Sequence, residues 1–414
     1  MAAGDLVAWA SSGAMLLTGT SDGTPRPEPA GVAAAAAAAS VDVAAMTGRF
    51  GTAVQVDGPA LLGERAAIAG FGRGGSVSVG GAARFERAAD GWIVLNLPRP
   101  SDVELLPALV GAAVDPGDWS AVQRHLSAEP AATLVERGVE LGLAIARPDE
   151  SAPMVSPGRA LTRRVGRRLV RPRPLVLDLS SLWAGPLATS LLAAAGARVI
   201  KVEARSRPDG ARQGPAQFFD ILNADKECLA LDFADRSDLA LLKRLIAAAD
   251  LVVEGSRPRA MTNLGIEPDA VLERSATSWL SITGHGRADQ PNRVGFGDDA
   301  AVAGGLWLER SGSPLFVADA VADPLTGLAA AAFAAEVLGS EQPAVIEVPL
   351  ARAAAWANRA PVAATVGGDD LDGWWVEVDR ERVGVAAPRG RTPARRAGEL
   401  DAHGPAIRDE FADR

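Results

Sequence analysis

The stretch LVLDLSSLWAGPLATSLLAAAGARVIKVEA, residues 175–204, decides the fold of this chain. It opens with a short apolar run that ends at Asp178, and a loop containing the letters AGP follows. Gly196 then separates a small-residue amphipathic run from a second apolar run. Proline near the start of a helix and glycine just past its end are the usual signals of helix boundaries. The pattern predicts strand, loop, helix and strand, a parallel βαβ unit. No G-x-G-x-x-G follows the first strand, so the nicotinamide-binding version of this unit is excluded.

The composition is that of an ordinary globular protein. The chain has 414 residues, 48% of them hydrophobic and 22% charged, which is enough for two or three domains with a large core. No apolar run approaches the roughly 20 residues that span a bilayer, and no signal-peptide pattern stands at the N-terminus. The single cysteine, Cys228, excludes an internal disulfide framework and fits a reducing compartment. We therefore expect a cytoplasmic protein that has no membrane partner.

Charge and side-chain inventory exclude further classes of partner. The formal net charge of −9 argues against nucleic-acid binding. Three scattered histidines and one cysteine do not make a His/Cys metal site. We expect no metal and no tightly bound cofactor.

The pattern of apolar runs and helix signals divides the rest of the chain into several predicted parts. From residue 175 onward, short apolar runs alternate with helix patterns, one of which begins after Asp235. Repeated βαβα units predict an α/β fold with a doubly wound, largely parallel, Rossmann-like sheet. Residues 1–150 are rich in alanine and glycine, with two strand patterns around an A-D-G turn. The predicted parts are a small α+β half at 1–150, a proline- and arginine-rich linker at 151–174, an α/β domain at 175–345 and a closing segment at 346–414.

Residues 175–204 resemble the opening of the family III CoA-transferases, also called the CaiB/BaiF family, which includes carnitine and formyl-CoA transferases and α-methylacyl-CoA racemases. In that family a leucine/aspartate strand, an AGP loop and a V-I-K-V-E strand occur in this order near residue 1. Here they begin near residue 175. The resemblance is weaker over 1–150. It implies a rearranged chain, with the small domain first, interlocked with a CoA-binding half, in a homodimer.

An internal echo accompanies the resemblance. Gly304-Gly305 leads to Thr326-Gly327 and then to an alanine-rich helix pattern, and Ser12-Gly13 leads in a similar order to Gly31 and a second alanine-rich pattern. Both resemble the part of the family that opens the active-site helix. Aligning the two glycines places Pro27 where Asp323 stands, so residues 1–150 are predicted to be a degenerate half without a nucleophile.

The resemblance implies a carboxylate nucleophile. Such a group must attack a thioester carbonyl and then itself leave, so that an anhydride and an enzyme–CoA thioester can form and collapse. In the family this aspartate precedes a T/S-G segment that opens a helix, and ADPLTG at 322–327 matches with Asp323. Free N–H groups at a helix start stabilise a carboxylate. The simpler alternative is that Asp323 only caps the helix, and Asp319 is the second candidate.

The resemblance also implies a CoA subsite, with acyl-CoA and a carboxylic acid as substrates. The residues implied to contact CoA are Leu182, Trp183, Arg205, Leu231, Ser256 and Arg257. The family's E-N-F/Y-R-P is here EGSRP at 254–258, which loses the asparagine and the aromatic residue. The affinity for CoA is therefore in question, and a solvated surface role is the alternative for each arginine.

Three functions remain open from the sequence. The first is transfer of CoA through an aspartyl anhydride and thioester. The second is an acyl-CoA racemase or isomerase, but Phe296 stands at the position of the racemase histidine and cannot move a proton. Asp298 or Asp299 would then have to serve as acid or base. The third is a non-catalytic protein that binds CoA thioesters, which the altered subsite favours.

Overall fold

Strands and helices alternate along the second half of the chain, as the sequence pattern predicts. The structure, a computed structural model, describes residues 2–163, 168–359 and 364–412. Its strands are β1 (Ala83–Ala88), β2 (Gly91–Asn96), β3 (Ala144–Ala146), β4 (Arg159–Arg163), β5 (Leu175–Leu179), β6 (Arg198–Ala204), β7 (Glu227–Leu231), β8 (Leu251–Glu254), β9 (Ser278–Ser281), β10 (Trp307–Arg310), β11 (Ser313–Phe316), β12 (Ala344–Glu347), β13 (Val366–Asp369), β14 (Gly373–Val378) and β15 (Glu381–Gly384). Its helices are α1 (Ala2–Ser11), α2 (Gly31–Thr47), α3 (Gly58–Leu61), α4 (Glu64–Ala69), α5 (Pro100–Glu104), α6 (Leu106–Val110), α7 (Trp119–Leu126), α8 (Ala131–Leu141), α9 (Ala184–Ala194), α10 (Ala216–Asn223), α11 (Arg236–Ala248), α12 (Pro258–Asn263), α13 (Pro268–Ser275), α14 (Gly297–Ala303), α15 (Ala322–Leu338), α16 (Leu350–Ala357) and α17 (Gly404–Glu410).

Within the described residues, the largest sheet has seven strands in the order β4-β12-β9-β8-β5-β6-β7. Neighbouring strands from β12 to β7 run parallel, and β4 pairs antiparallel with β12 at one edge. The predicted α/β class with a largely parallel sheet is confirmed. The chain leaves β5 toward β6 and β7 and then returns to β8 on the other side of β5. Ligands of such sheets bind at the carboxyl ends of the strands where the order switches.

Both faces of this sheet are buried, because successive residues of a strand point to opposite sides. Val176, Val253 and Leu280 pack into one apolar cluster with residues from α2, α9 and α15. Leu177 and Trp279 pack into a second cluster with residues from α11, α13 and α17. The strands therefore have near-continuous apolar sequences.

Three helices rich in small residues form the layer that carries the candidate site. α15 packs against both α9 and α2, so a helix of the N-terminal part lies on the helix whose sequence it echoes. The approach to α9 is close, since a methyl group on Gly327 would lie 2.9 Å from the Ala184 carbonyl oxygen. One apolar cluster includes residues from Leu6 to Val378. The two ends of the chain thus share a core.

The N-terminal part also contains a smaller antiparallel sheet, in the order β1-β2-β3. Helices α6, α7 and α8 cover it through a separate apolar cluster that includes Leu95, Leu109 and Leu134. These elements lie within 1–150, for which the sequence predicts a small α+β half. None of the helices in the described parts of the chain has the length and apolar character that crossing a bilayer requires.

The segment predicted as a linker contains strand β4. Arg159, at its start, donates from Nε to Glu347 Oε1 at 2.6 Å. Arg168 donates from Nη1 to the Asp250 carbonyl oxygen at 2.6 Å. Residues 164–167 lie outside the described residues. The segment predicted as a linker is therefore anchored to the sheet by the backbone of β4 and by Arg159 and Arg168.

A buried ion pair fixes the loop after β5. Asp178, at the end of that strand, accepts from Lys226 Nζ at 2.8 Å and from Thr189 Oγ1 at 2.7 Å through Oδ2. Lys226 Nζ also donates to the Pro186 carbonyl oxygen at 3.0 Å. Although burial opposes it, the charges of Lys226 and Lys201 hold the pKa of Asp178 well below its usual range. The Asp178 carboxylate at the end of β5 is therefore linked through Lys226 to the first turn of α9.

A second buried pair continues this network. Lys201 Nζ donates to the Ser180 carbonyl oxygen at 3.1 Å and to Asp209 Oδ2 at 2.8 Å. Asp209 Oδ1 in turn accepts from the Leu182 N–H at 3.0 Å. The loop that carries the AGP sequence is thus held at several backbone groups, which fixes the start of α9.

We expect replacement of Lys226 by methionine to destabilise the fold by about 3–5 kcal/mol, because the Asp178 carboxylate would stay buried without its cation. Urea unfolding at pH 7 measures this loss. The control is Arg395→Met, which removes an ion pair with Asp225 whose two side chains are both largely exposed. That control should cost less than about 1 kcal/mol. Equal losses in the two variants would contradict the role given to the Asp178 network.

Candidate active site

Asp323 lies in the first turn of α15, and its accessibility sets it apart from its neighbours. Its side chain is half-buried, whereas those of Asp298, Asp299 and Asp319 nearby are buried. Asp323 is therefore the member of this acidic cluster that a substrate can reach.

The backbone just before α15 has an uncommon conformation. Ala318 and Ala320 have φ angles of 52° and 44°, in the left-handed region that residues with a side chain seldom adopt. Their N–H groups donate to Thr18 Oγ1 and Asp298 Oδ1, each at 3.0 Å. Strained residues of this kind persist where their surroundings hold them, and they are concentrated at functional sites. Ala318 and Ala320 are two such strained residues, and they lie directly before α15.

The start of α14 lies directly against Asp323. A methyl group on Gly297 would stand 2.2 Å from Asp323 Oδ2 and 2.5 Å from the Ala320 carbonyl oxygen. Only glycine fits at this position without displacing the carboxylate. Asp298 and Asp299 follow in the first turn of α14, so two helix starts bring their acidic residues together.

Arg65 of α4 supplies the cation of this cluster. Its Nε donates to Asp319 Oδ2 at 2.9 Å, and its Nη2 donates to Asp319 Oδ1. The guanidinium carbon also lies 5.3 Å from the centre of the Trp183 ring, within the range of a cation–π contact. Asp319 is therefore engaged, which leaves Asp323 as the better candidate for a nucleophile.

The burial of Asp298 and Asp323 shifts their ionisation toward neutral pH. Burial raises the pKa of Asp323 to about 7, with Arg65 lowering it and Asp298 and Asp299 raising it further. Burial likewise raises the pKa of Asp298 to about 6. Although burial alone lowers it, the ion pair with Asp319 raises the pKa of Arg65 above its usual value. Asp323 thus titrates near neutral pH beside a permanent cation.

Leu182 and Trp183, two of the predicted CoA contacts, lie beside this cluster. Leu182 is 41% exposed and has a φ of 69°, so its side chain faces solvent from a strained loop. Trp183 is buried, stacks edge-on against Phe218 at 5.3 Å, and its Nε1 has no hydrogen-bond partner among the described residues. Because Arg65 contacts both Trp183 and Asp319, the structure brings the loop after β5 and the start of α15 together.

Arg205 and Leu231 lie at the outer edge of the sheet. Their contacts are with residues outside the acidic cluster. Arg205 pairs with Asp401 at 3.0 Å and donates to the Ala230 carbonyl oxygen at 3.1 Å. The Leu231 side chain is buried in the second apolar cluster, and its carbonyl oxygen accepts from the Arg205 N–H at 2.8 Å. Both residues are therefore occupied by contacts within the chain.

Ser256 and Arg257 follow β8, at the switch in strand order. The Ser256 Oγ is buried and has no hydrogen-bond partner among the described residues. Burial and the nearby guanidinium groups of Arg259, Arg99 and Arg207 lower the pKa of Arg257 from its usual value. Within the part of the chain that the structure describes, Arg257 makes no ion pair. Several guanidinium groups with few matching carboxylates form a surface that attracts an anion.

Sequence reasoning missed Arg65, which comes from the N-terminal part and lies 254 positions from its partner Asp319. Its local sequence, ERAAIA, carries no motif that distinguishes it from a surface arginine. No group of three or more His, Cys, Asp or Glu side chains in residues 2–163, 168–359 and 364–412 is placed to hold a metal ion. The acidic cluster is organised around a guanidinium group instead.

Known proteins that resemble this chain include CoA-transferases. Residues 174–373 match the sequence profile of CoA-transferase family III, which confirms the resemblance noted for residues 175–204. An acyl-CoA transferase of Fusarium pseudograminearum is 33% identical over 174 residues, and the match covers 37% of this chain and 38% of that protein. A succinyl-CoA:glutarate CoA-transferase of Mus musculus is 31% identical over 195 residues, with 42% and 45% covered. This chain thus spans less than half the length of each of these relatives.

Solved structures also resemble this chain. The crystal structure of a CAIB/BAIF family protein from Brucella suis has a TM-score of 0.39 at 25% sequence identity. The match covers 44% of this chain and 53% of that one.

We expect Arg65→Gln to lower the free energy of unfolding by about 3 kcal/mol at pH 8, because buried Asp319 would lose its cation. Asp298 and Asp323, whose charges also attract Arg65, take up protons as the pH falls, so the loss should shrink toward pH 5. Urea unfolding at both pH values measures it. Arg389→Gln, which removes an exposed pair with Asp57, is the matched control and should cost little at either pH. A loss for Arg65→Gln that does not depend on pH would contradict this account.

Proposed function

We propose that this chain, whose residues 174–373 belong to CoA-transferase family III, moves CoA from an acyl-CoA thioester to a free carboxylic acid with Asp323 as the nucleophile. The observation that carries the proposal is the position of Asp323. It is the accessible carboxylate of a buried acidic cluster, in the first turn of a helix and close to one guanidinium group. The named relatives support an enzyme of this kind.

The reaction then has four balanced steps. The Asp323 carboxylate attacks the thioester carbonyl, the C–S bond breaks, and CoA leaves as a thiolate while a mixed anhydride forms on Asp323. The thiolate attacks the aspartyl carbonyl, which releases the first carboxylic acid and leaves an aspartyl–CoA thioester. The acceptor carboxylate attacks that thioester and expels the thiolate again. The thiolate finally attacks the acceptor carbonyl, which forms the new acyl-CoA and restores Asp323.

The surroundings of Asp323 fit this chemistry. A carboxylate with a pKa near 7 is a stronger nucleophile than an ordinary one, yet a large fraction is still ionised at neutral pH. Arg65 limits the rise in the pKa of Asp323. An anhydride is hydrolysed by water, and the buried Trp183 ring lies beside the cluster where it helps to exclude water.

For the CoA phosphates we propose the arginine group around Arg257, together with the unpaired Ser256 hydroxyl. Its place at the carboxyl end of β8 is where such sheets bind anionic ligands. Arg207 belongs to this group, whereas Arg205 is paired with Asp401. Leu182 is a further proposed contact because its side chain faces solvent beside the loop. Assembly into a homodimer and the limits of the four predicted parts remain predictions.

We expect acyl transfer to Asp323 to be detectable as a trapped adduct. Incubation with succinyl-CoA and hydroxylamine should convert Asp323 into a hydroxamate, because hydroxylamine attacks both the anhydride and the aspartyl–CoA thioester. Its yield should rise with pH through a midpoint near 7, since the ionised carboxylate is the nucleophile. Peptide mass spectrometry measures it.

Asp323→Asn should abolish this adduct, while Asp269→Asn, an exposed carboxylate in the first turn of α13, should leave it unchanged. Because a carboxyl whose pKa is raised by folding destabilises the fold above that pKa, Asp323→Asn should also be at least as stable as the parent at pH 8. Exchange of the substrate α-proton by Asp323→Asn in heavy water, or absence of any adduct in the parent with a panel of acyl-CoA donors, would overturn the proposal.

We expect Arg257→Ala to weaken CoA binding about tenfold, which corresponds to the loss of one charge-assisted contact. The effect should appear in the KM for acyl-CoA and leave kcat nearly unchanged, because the proposed contact is with a CoA phosphate and not with the reacting atoms. Calorimetric titration with CoA measures it, at low salt where charge attraction is strong. Arg205→Ala is the matched control. A larger loss for Arg205→Ala than for Arg257→Ala would contradict the proposed subsite.

A further inference from the structure

Glu64 and Arg65 are neighbours at the start of α4, and their side chains bind different parts of the chain. Arg65 donates to Asp319 in the acidic cluster. The Glu64 side chain, 1% exposed, is bound by Arg391 of the closing segment. α4 has only six residues, and a helix of that length is not stable without contacts to the rest of the fold. The contacts that hold α4 in place therefore also decide where the Arg65 guanidinium lies.

Arg391 satisfies both carboxylate oxygens of Glu64. Its Nε donates to Glu64 Oε1 at 2.7 Å, and its Nη2 donates to Glu64 Oε2 at 2.8 Å. The backbone N–H of Arg391 also donates to Oε1, at 3.1 Å. Two parallel contacts between one guanidinium and one carboxylate fix the orientation of the pair as well as its distance. Because the carboxylate is buried, α4 cannot move away from Arg391 without leaving that charge unpaired.

Residues 388–391, called the strap below, also pack along α4 through their other atoms. A methyl group on Gly63, which precedes α4, would lie 3.0 Å from Pro388 Cβ. A methyl group on Gly390 would lie 2.6 Å from Ile68 Cγ1. The strap and α4 thus approach so closely that no side chain fits between them at these two glycines. The ion pair between Glu64 and Arg391 is therefore part of a packed contact.

The strap also binds α10, which lies on another side of Arg65. Gln217 Nε2, in α10, donates to the Arg391 carbonyl oxygen at 3.0 Å. The next residue, Phe218, packs edge-on against Trp183, with 5.3 Å between the ring centres. The Arg65 guanidinium carbon lies 5.3 Å from the centre of that same Trp183 ring. Arg391 is therefore bonded to α4 through its side chain and to α10 through its backbone, and both helices determine the surroundings of Arg65.

We propose that Arg391 is a positioning residue for the reaction at Asp323, which it affects by holding Arg65 in place through Glu64. This inference rests on the proposed function of Asp323. The positive charge of Arg65 favours the ionised, nucleophilic form of Asp323. The attraction between two charges weakens as they separate, so a displaced Arg65 would stabilise that form less. Arg391 itself does not touch the reacting atoms in the proposed reaction.

The pH profile of the Asp323 adduct tests the proposal, with succinyl-CoA and hydroxylamine as the probe. Arg391→Gln should move the midpoint to higher pH by about 0.5 unit, because Arg65 is then held less firmly. Arg391→Lys keeps the charge but cannot make both parallel contacts, so it should move the midpoint in the same direction. The control is Arg395→Gln, which removes an exposed pair with Asp225 and should change nothing. A midpoint that stays in place in Arg391→Lys would overturn the proposal, whatever Arg391→Gln does.

A double-mutant cycle separates the positioning of Arg65 from a direct effect of Arg391 on Asp323. In the Arg65→Gln background, Arg391→Gln should leave the midpoint of the pH profile where it is, because the side chain through which Arg391 acts is gone. An equal shift in both backgrounds would overturn the proposal. Arg391→Lys replaces Arg391→Gln in the cycle if the double variant does not fold.

A second measurement is independent of the chemistry at Asp323. The Nε–H of Arg65 donates to Asp319 Oδ2 at 2.9 Å, and its ¹⁵N resonance can be assigned by its loss in Arg65→Gln. We expect this proton to exchange with water about tenfold faster in Arg391→Gln than in the parent, with no change in Arg395→Gln. An unchanged exchange rate in Arg391→Gln would overturn the proposal. If the parent forms no adduct with any acyl-CoA donor, the proposed function fails, and the exchange rate still decides whether Arg391 holds Arg65.

Discussion

The carboxylate of Asp178 is the constraint on which the candidate site depends. It stands where β5 ends, and its partners Lys226 and Thr189 come from the start of β7 and from α9. Both charges are completely buried, so neither can lose the other without a large desolvation cost. The pair therefore fixes α9 against the sheet. α15 packs closely on α9, so the position of α9 also sets the position of Asp323. Asp323 therefore depends on the Asp178–Lys226 pair although it does not contact that pair.

The site itself is composite, since it draws on both ends of the chain. Arg65 binds Asp319, Asn96 binds Asp299, and Thr18 holds the strained N–H of Ala318. Arg65, Asn96 and Thr18 all come from the N-terminal part of the chain. These contacts show what the N-terminal part contributes to the site. It supplies the cation and the hydrogen bonds that several buried carboxylates need, because such groups are costly unless they are paired.

The sequence predicted the sheet well because the strands of a doubly covered sheet are apolar on both faces and are separated by amphipathic helices. It also pointed to Asp323, since the resemblance lies in a short contiguous motif. Arg65 could not be predicted, because its partner is 254 positions away and depends on how two helical layers pack. For the same reason the sequence could not tell that Arg205 would be occupied by Asp401, a residue of the closing segment. Local sequence patterns predict helices and strands, whereas contacts between distant segments can be identified only once the three-dimensional fold is known.

The acidic cluster favours the proposed catalytic function over a function limited to binding CoA thioesters. Grouping Asp298, Asp299 and Asp323 destabilises the folded chain at neutral pH, because burial and like charges raise the pKa of each carboxyl. A binding protein would gain nothing from this arrangement, since neutral side chains of similar size would pack there at lower cost. A nucleophile that must ionise near pH 7 and then leave does gain from it. In the proposed function, the changes around Ser256 and Arg257 therefore concern affinity for the donor, while the cluster around Asp323 supplies the carboxylate that the reaction needs.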